Sequence, residues 1–254
     1  MLRALTKAAG VAAVLAGLSA PALGAEAIEV PDYDFSFEGI FGTYDEASLQ
    51  RGYQVYEQVC ASCHSMDLVA YRHLEWIGYS EDQVKALAAQ NTVTDGPNDQ
   101  GEMFTRPAEP SDYFAAPYPN VQAARAANGG AYPPDLSVIA QARAGGADYL
   151  KALLIGYEDP PPDVDLMAGM YYNAYFPGHQ IAMPQLVYDD SVTYQDGTEA
   201  TAEQISHDVS AFLMWAAEPH MVERKRSGVK VMLFLVVFAG MMYAVKRKVW
   251  ADQH

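Results

Sequence analysis

Cysteine is nearly absent from this chain of 254 residues, which contains only two. Both lie in one short stretch, CASCH, at residues 60–64. A structural zinc ion normally takes four Cys or His ligands, and the sequence offers no second Cys or Cys/His pair to complete such a site. The scarcity of cysteine therefore argues against a zinc protein.

Basic residues are also scarce over most of the chain. Between Glu26 and His220 there are 30 acidic but only 7 basic residues, a balance of −23. Nucleic acid and anionic lipid carry negative charge, so both are poor partners for this region. We expect the acidic residues to keep it soluble and to steer a basic partner towards it, at a rate that falls as salt rises.

The histidine directly behind the two cysteines indicates what they do. In the pattern CxxCH, the two thiols form thioether bonds to the vinyl groups of a haem, and the adjacent imidazole ligates the iron. A disulfide across the two intervening residues is an alternative. We predict one haem c per chain, covalently attached through Cys60 and Cys63, with His64 as an axial ligand.

The second axial ligand decides whether the iron has an open position. Met183, in GHQIAMPQ, lies in a predicted loop beyond most of the other loops, and Pro184 stiffens the chain behind it. We favour Met183, with His179 next and Met103 third. His/Met ligation raises the reduction potential relative to two imidazoles and fills both axial positions. It indicates a one-electron carrier, whereas a peroxidase or a gas sensor needs an open or displaceable position.

The pattern of apolar and turn-forming residues predicts a mainly helical domain. A helix is predicted at about 45–59, and another begins after Thr201 with a T-x-x-Q capping box. Short helices are expected at 137–142 and 147–155, and residues 91–134 should be mostly loop. Because a cofactor is needed to pack such long loops, we predict a fold that is mainly α with long loops, a class I cytochrome c-like haem domain.

Both ends of the chain carry export or membrane signals. Residues 1–25 have the positive start, apolar middle and small-residue cleavage site of a signal peptide. Residues 231–245 contain no charge and are flanked by basic clusters, so 229–247 is predicted to be a transmembrane anchor. The exported haem domain is then 26–222 and the cytoplasmic tail 248–254. We expect a single-pass protein of the bacterial inner membrane, with the haem domain on the periplasmic side.

Longer blocks of sequence are more specific than CxxCH. They are RGYQVYEQVCASCHSMDLVAYRHL, DGPNDQGEMFTRPAEPSDYF, ARAANGGAYPPDLS, YFPGHQIAMPQ and FLMWAAEP, the last followed by a basic cluster and the membrane span. Over nearly the whole chain they resemble the cytochrome c1 family, the haem subunits of cytochrome bc1 complexes. The resemblance implies a set of haem contacts: thioether bonds at Cys60 and Cys63, axial ligands His64 and Met183, and Arg143 and Tyr149 near the propionates.

The resemblance also implies partners. These are cytochrome b in the membrane, a Rieske iron–sulfur subunit as electron donor, and a soluble or tethered cytochrome c as acceptor. The chain would then be no enzyme alone but an electron-carrying subunit of quinol–cytochrome c oxidoreductase. The alternative is another membrane-tethered c-type cytochrome that feeds an oxidase or a photosynthetic centre. We expect one acidic run to help attract a basic cytochrome c: Glu158, Asp159, Asp163 and Asp165.

Overall fold

The helices and strands are known for residues 28–253, which a computed structural model of the chain describes. The predicted signal peptide lies outside these residues. The α-helices are α1 (Glu46–Val55), α2 (Glu81–Ala88), α3 (Val121–Ala127), α4 (Gly146–Ile155), α5 (Ala202–Ala217) and α6 (Met221–Val249). The strands are β1 (Thr92–Asp95), β2 (Phe104–Pro107), β3 (Tyr171–Tyr172) and β4 (Gln180–Ile181). A π-helical turn follows α1 at Tyr56–Cys60, and 3-10 turns lie at Tyr71–Ile77 and Ala251–Gln253.

Helix α1, which leads into the CASCH motif, packs against α5. The two helices approach closely at Gly52, where a Cβ atom would lie 2.1 Å from the carbonyl oxygen of Asp208. The fully buried Asp208 carboxylate accepts hydrogen bonds from the Ser48 hydroxyl at 2.7 Å and from Arg51 Nε at 2.8 Å. Since a buried carboxylate is costly without such partners, these bonds fix α1 on α5 and thereby fix where the chain enters the motif.

The predicted helices near the motif and at the end of the head are confirmed. Helix α1 and its π-helical turn together span 46–60, close to the predicted 45–59. Helix α5 begins after Thr201, whose hydroxyl accepts a hydrogen bond from the Gln204 N–H at 3.1 Å. Helix α4 begins one residue before the predicted 147–155. The fold is mainly α with long loops, as predicted.

The helix predicted at 137–142 is wrong, because this segment forms turns. The Ser137 N–H donates to Asp135 Oδ1 at 2.8 Å, and the Leu136 N–H donates to the Ser65 carbonyl at 2.9 Å. These bonds attach the start of the segment to the residues after the CASCH motif. The segment continues as turns, in which the N–H groups of Gln141 and Ala142 both donate to the Val138 carbonyl at 3.0 Å.

Residues 91–134 are mostly loop, but they also contain regular structure that the sequence did not predict. Strands β1 and β2 pair antiparallel, with Thr92 opposite Pro107, and α3 follows. Arg106 on β2 pairs with Asp112 at 2.6 Å and with Asp95 on β1. The hairpin is therefore held partly by ion pairs between residues that lie apart in the sequence, which hydrophobic periodicity does not reveal.

Helix α6 carries the apolar C-terminal segment. Its 29 residues extend about 44 Å, and its large apolar side chains, such as Phe234, Val236 and Leu233, are exposed. Among residues 28–253 it is the one helix long and apolar enough to cross a membrane. Such a surface is unfavourable in water, so the predicted C-terminal membrane helix is supported. The boundaries 26–222, 229–247 and 248–254 stay predictions.

Candidate haem site

The CASCH motif forms a tight turn where α1 and its π-helical extension end. Cys60 is the last residue of the π-helical turn, and its carbonyl accepts hydrogen bonds from the Cys63 N–H at 3.1 Å and the His64 N–H at 2.9 Å. Both cysteines are free thiols and partly exposed. Backbone bonds of this turn therefore keep Cys60, Cys63 and His64 close together.

The environment of Cys60 disfavours the two alternatives to haem attachment. Redox-active CxxC motifs and zinc sites both use thiolates, which helix N-termini and positive charges stabilise. Cys60 instead lies at the C-terminal end of a helix, where the helix dipole is negative. Burial, together with the neighbouring Cys63, raises the pKa of the Cys60 thiol to about 12. A thiol held protonated at the C-terminal end of a helix does not suit a redox-active CxxC motif.

The His64 ring is oriented by a backbone carbonyl. Its Nδ1 lies 2.8 Å from the carbonyl oxygen of Pro134. A carbonyl can only accept, so Nδ1–H donates and Nε2 keeps a free lone pair, which is the form that a metal-ligating histidine needs. Burial lowers the pKa of His64, which favours the neutral imidazole.

The segment that carries Pro134 is joined to the residues after His64. The Asp135 carboxylate accepts from the Ser65 hydroxyl at 2.9 Å and from the Asp67 N–H at 2.8 Å, and the Ser137 hydroxyl accepts from the Leu68 N–H at 3.0 Å. Burial acts to raise the pKa of Asp135, but the hydrogen bonds outweigh it and the pKa is lowered. The carbonyl that orients His64 is therefore held in place by a network.

Met183 lies two residues after β4 and is half-buried. Its carbonyl oxygen accepts a hydrogen bond from the Tyr157 hydroxyl at 2.9 Å. Burial raises the pKa of Tyr157, so this hydroxyl stays protonated and able to donate. Tyr157 lies just beyond α4. The loop with the predicted sixth ligand is thus attached to the end of α4.

The two other sixth-ligand candidates, His179 and Met103, lie in different surroundings. His179 has φ of +57°, its Nδ1 lies 3.2 Å from the Asn173 carbonyl, and its ring stacks on Tyr172 with centroids 5.5 Å apart. It is a part of the β3–β4 hairpin. Met103 is 61% exposed between β1 and β2. Met183 stays the predicted sixth ligand.

One continuous stretch, residues 134–157, contacts both candidate axial ligands. Pro134 at its start binds the His64 ring, and Tyr157 at its end binds the backbone of Met183. Between them lies the buried Tyr149, whose pKa is raised by burial and partly lowered by the nearby charge of Arg143. Two free thiols, an imidazole with an available nitrogen and a thioether are donors that fit a haem.

Sequence reasoning missed Pro134 and Tyr157. The first contact joins residues 70 positions apart, and the second joins residues 26 positions apart. Neither a motif nor a helical period marks such a pair. The block AYPPDLS contains Pro134, but it carries no indication that its carbonyl binds the His64 ring.

Fold and site together define a class of protein: a c-type cytochrome domain joined to a C-terminal helix that can span a membrane. Within that class, the model of the Cytochrome C1 family matches residues 35–253. The chain belongs to the cytochrome c1 family, which makes it an electron-transport haem protein. The resemblance noted in the sequence is confirmed.

Named relatives agree with this assignment. The chain is 54% identical to cytochrome c1-2, heme protein, mitochondrial, of Solanum tuberosum, over 87% of this chain and 85% of that protein. It is 48% identical to cytochrome c1 of Rhodospirillum rubrum, over 86% of each. It is also 51% identical to a cytochrome b/c1 protein of Bradyrhizobium diazoefficiens over 88% of this chain, and it spans 36% of the length of that relative.

Proposed function

We propose that the protein is the electron-carrying haem subunit of a quinol–cytochrome c oxidoreductase, the cytochrome bc1 complex. It takes single electrons from a Rieske iron–sulfur subunit and passes them to a soluble or tethered cytochrome c. Cytochrome b is its partner in the membrane. On its own it is no enzyme, because it carries electrons and the oxidation of quinol takes place elsewhere in the complex.

Different residues of the site make different contacts with one haem c per chain. The haem supplies one-electron oxidation and reduction at its iron. Cys60 and Cys63 attach it covalently, and His64 and Met183 provide the axial ligands. Pro134 keeps the His64 ring in the tautomer that leaves Nε2 free. Further along the same stretch, Arg143 and Tyr149 are proposed to bind the propionates.

The observation that carries this function is the stretch 134–157, which reaches both candidate axial ligands. With both axial positions filled, substrate and oxygen have no place to bind at the iron. With the haem bound, such a protein would carry electrons and would catalyse no reaction at the metal. This distinguishes a carrier from a peroxidase or a gas sensor.

The proposed location follows from the two ends of the chain. A signal peptide at 1–25 exports the head, and α6 anchors it, so that the haem domain faces the periplasm of a bacterial inner membrane and the tail faces the cytoplasm. The strong acidity of the head favours docking of a basic cytochrome c.

The visible spectrum of the reduced full-length protein, recorded before and after addition of carbon monoxide, tests the ligand assignment. The wild-type spectrum is expected to stay unchanged immediately after mixing, because Met183 blocks access to the iron while its loop is closed. Met183→Leu should shift clearly on addition of carbon monoxide, since leucine has no sulfur to ligate. In both proteins the haem should remain bound to the chain on a denaturing gel.

Met103→Leu is the matched control, because it removes a thioether from an exposed loop residue. Its spectrum should be insensitive to carbon monoxide, like that of the wild type. A wild-type protein that binds carbon monoxide readily would contradict the carrier function, as would a Met103→Leu variant that binds it when Met183→Leu does not.

A further inference from the structure

The backbone of Met183 is held by a side chain from another part of the chain. The Tyr157 hydroxyl donates to the Met183 carbonyl at 2.9 Å across 26 residues of sequence, in a partly buried position. This bond acts on the backbone of the residue that is proposed to ligate the iron, whereas the ligating sulfur is at the end of its side chain. Tyr157 can therefore influence the ligand without touching the metal.

Tyr157 is itself fixed by short-range backbone pairing. It forms an antiparallel β-bridge with Asn173, and the Gly156 carbonyl accepts from the Ala174 N–H at 2.9 Å. A Cβ atom at Gly156 would lie 2.4 Å from Cδ2 of Tyr175, so glycine allows this close approach. The backbone of Tyr157, at the end of α4, is thus held by pairing with residues 173 and 174.

Asn173 connects the end of α4 to the hairpin that precedes Met183. It is fully buried, its Nδ2 donates to the Leu153 carbonyl of α4 at 2.8 Å, and its Oδ1 accepts from the N–H groups of Tyr175 at 3.0 Å and Phe176 at 3.1 Å. The Asn173 N–H also donates to the His179 carbonyl at 3.1 Å. The loop between β3 and β4 is therefore anchored to α4 through one asparagine.

The loop that carries Met183 is consequently attached at two points to the residues at the end of α4. On one side, the β3–β4 hairpin leads to Ile181, which is buried two residues before Met183. On the other side, the Tyr157 hydroxyl binds the carbonyl of Met183 itself. This hydrogen bond limits the backbone motion that would move the Met183 thioether away. Breaking it would leave a partly buried hydroxyl and carbonyl without partners, which costs free energy.

We propose that Tyr157 is a positioning residue that keeps the Met183 loop closed over the haem, through the hydrogen bond from its hydroxyl to the Met183 carbonyl. The proposal rests on the proposed function, in which Met183 is the sixth ligand. Removing the hydroxyl leaves the ligand in place but lets the loop open more often. The open fraction of the protein then rises, so methionine ligates the iron for less of the time.

Tyr157→Phe in the full-length holoprotein tests the proposal, because it removes one oxygen and retains the ring. Carbon monoxide serves as the probe, since it enters only when the loop is open and its rate of binding reports the open fraction. Losing one neutral hydrogen bond is expected to speed binding by roughly fivefold. The midpoint reduction potential should fall, because methionine ligation is what raises it.

Tyr188→Phe is the matched control. Tyr188 lies five residues beyond Met183 and is 53% exposed, so removing its hydroxyl should leave both readouts at the wild-type value. Far-UV circular dichroism and the melting temperature show whether each variant is folded. A purely structural contribution of Tyr157 would lower the melting temperature and leave the carbon monoxide rate and the potential unchanged.

The variants separate failure of this proposal from failure of the proposed function. If Met183→Leu binds carbon monoxide while Tyr157→Phe matches Tyr188→Phe in rate and potential, the positioning contribution of Tyr157 is refuted and the ligand assignment stands. If Met183→Leu does not bind carbon monoxide, the ligand assignment fails, and the proposal for Tyr157 fails with it. Faster binding and a lower potential in Tyr157→Phe alone would support it.

Discussion

The two sides of the haem site are held in different ways. On the His64 side, segment 134–137 makes five hydrogen bonds to residues 64–68, involving the His64 ring, backbone groups and side chains. On the other side, the carbonyl of Met183 is held by the single hydroxyl of Tyr157. The comparison teaches that several bonds attach the segment that binds the His64 ring, whereas one side chain binds the Met183 carbonyl, so a single substitution removes that bond.

The surroundings of the two sides differ as well. The chain between Tyr157 and β3 carries the acidic run Glu158, Asp159, Asp163 and Asp165, and all four residues are exposed. The single carboxylate of the His64 network, Asp135, is partly buried and hydrogen-bonded. The acidic side chains near Met183 are therefore free to interact with a partner, whereas the Asp135 carboxylate accepts hydrogen bonds from residues of its own chain.

The largest effect is expected from His64→Ala. This change removes the proposed axial ligand together with the hydrogen bond between the His64 ring and the Pro134 carbonyl. Covalently bound haem should fall to a small fraction of the wild-type level, measured by haem staining of membranes after denaturing electrophoresis. Met183→Leu should retain its haem, which would make the contrast between the two sides explicit.

His220→Gln is the control for this variant, because it removes an exposed imidazole at the start of α6. It should have a wild-type haem content. A His64→Ala protein with normal haem content and an unchanged low-spin spectrum would break the comparison, since His64 would then be no ligand.

A smaller effect is expected from Asp135→Asn. The Asp135 carboxylate accepts from the Ser65 hydroxyl, the Asp67 N–H and the Ser137 N–H. In the asparagine variant, the NH2 group replaces one of the accepting oxygens, so at least one of these donors loses its acceptor. Leaving a partly buried donor unpaired lowers the free energy of unfolding by about 1–3 kcal/mol. Denaturant unfolding measures this loss, and carbon monoxide binding should stay at the wild-type rate.

The pH dependence sharpens the same prediction. The pKa of Asp135 is lowered in the folded protein, so its carboxylate stabilises the fold above the unfolded pKa of about 3.9. That contribution disappears as the pH falls through the folded pKa. Asp135→Asn should therefore lose less stability than the wild type below about pH 4, and Asp99→Asn, an exposed control, should behave as the wild type. Parallel pH profiles for all three proteins would contradict this.

The smallest effect on the protein itself is expected from reversing Asp159 and Asp163 to Lys. Both are exposed on the Met183 side, so ligation and stability should hardly change. Electron transfer to a basic cytochrome c should slow by roughly tenfold at low salt and converge with the wild type at high salt. Stopped-flow kinetics over a range of ionic strength measure this rate of electron transfer.

The matched control reverses Glu81 and Asp82, an exposed acidic pair in the first turn of α2. If both double variants slow transfer equally, net charge accounts for the effect and the acidic run on the Met183 side has no special position. An unchanged salt dependence in Asp159→Lys, Asp163→Lys would remove this run from the docking surface.

Local signals in the sequence were sufficient for several parts of the fold. The start of α5 could be predicted because a cap depends on Thr201 and the next few residues only. The apolar segment within α6 could be predicted because length and composition decide whether a helix is able to span a membrane. The helix predicted at 137–142 is wrong, because this segment forms turns, and the Leu136 N–H just before it donates to the Ser65 carbonyl, a contact that helical periodicity does not reveal.

The sequence by itself predicted the proposed haem-attachment motif, because Cys60, Cys63 and His64 occupy one turn and their relation follows from spacing. It also indicated Met183, through its loop and through family resemblance. Only the tertiary structure decided that Pro134 orients the His64 ring and that Tyr157 holds the Met183 backbone. Those contacts depend on distances of 2.8 and 2.9 Å between atoms far apart along the chain, which arise only once α4, the hairpin and the 134–137 segment have packed.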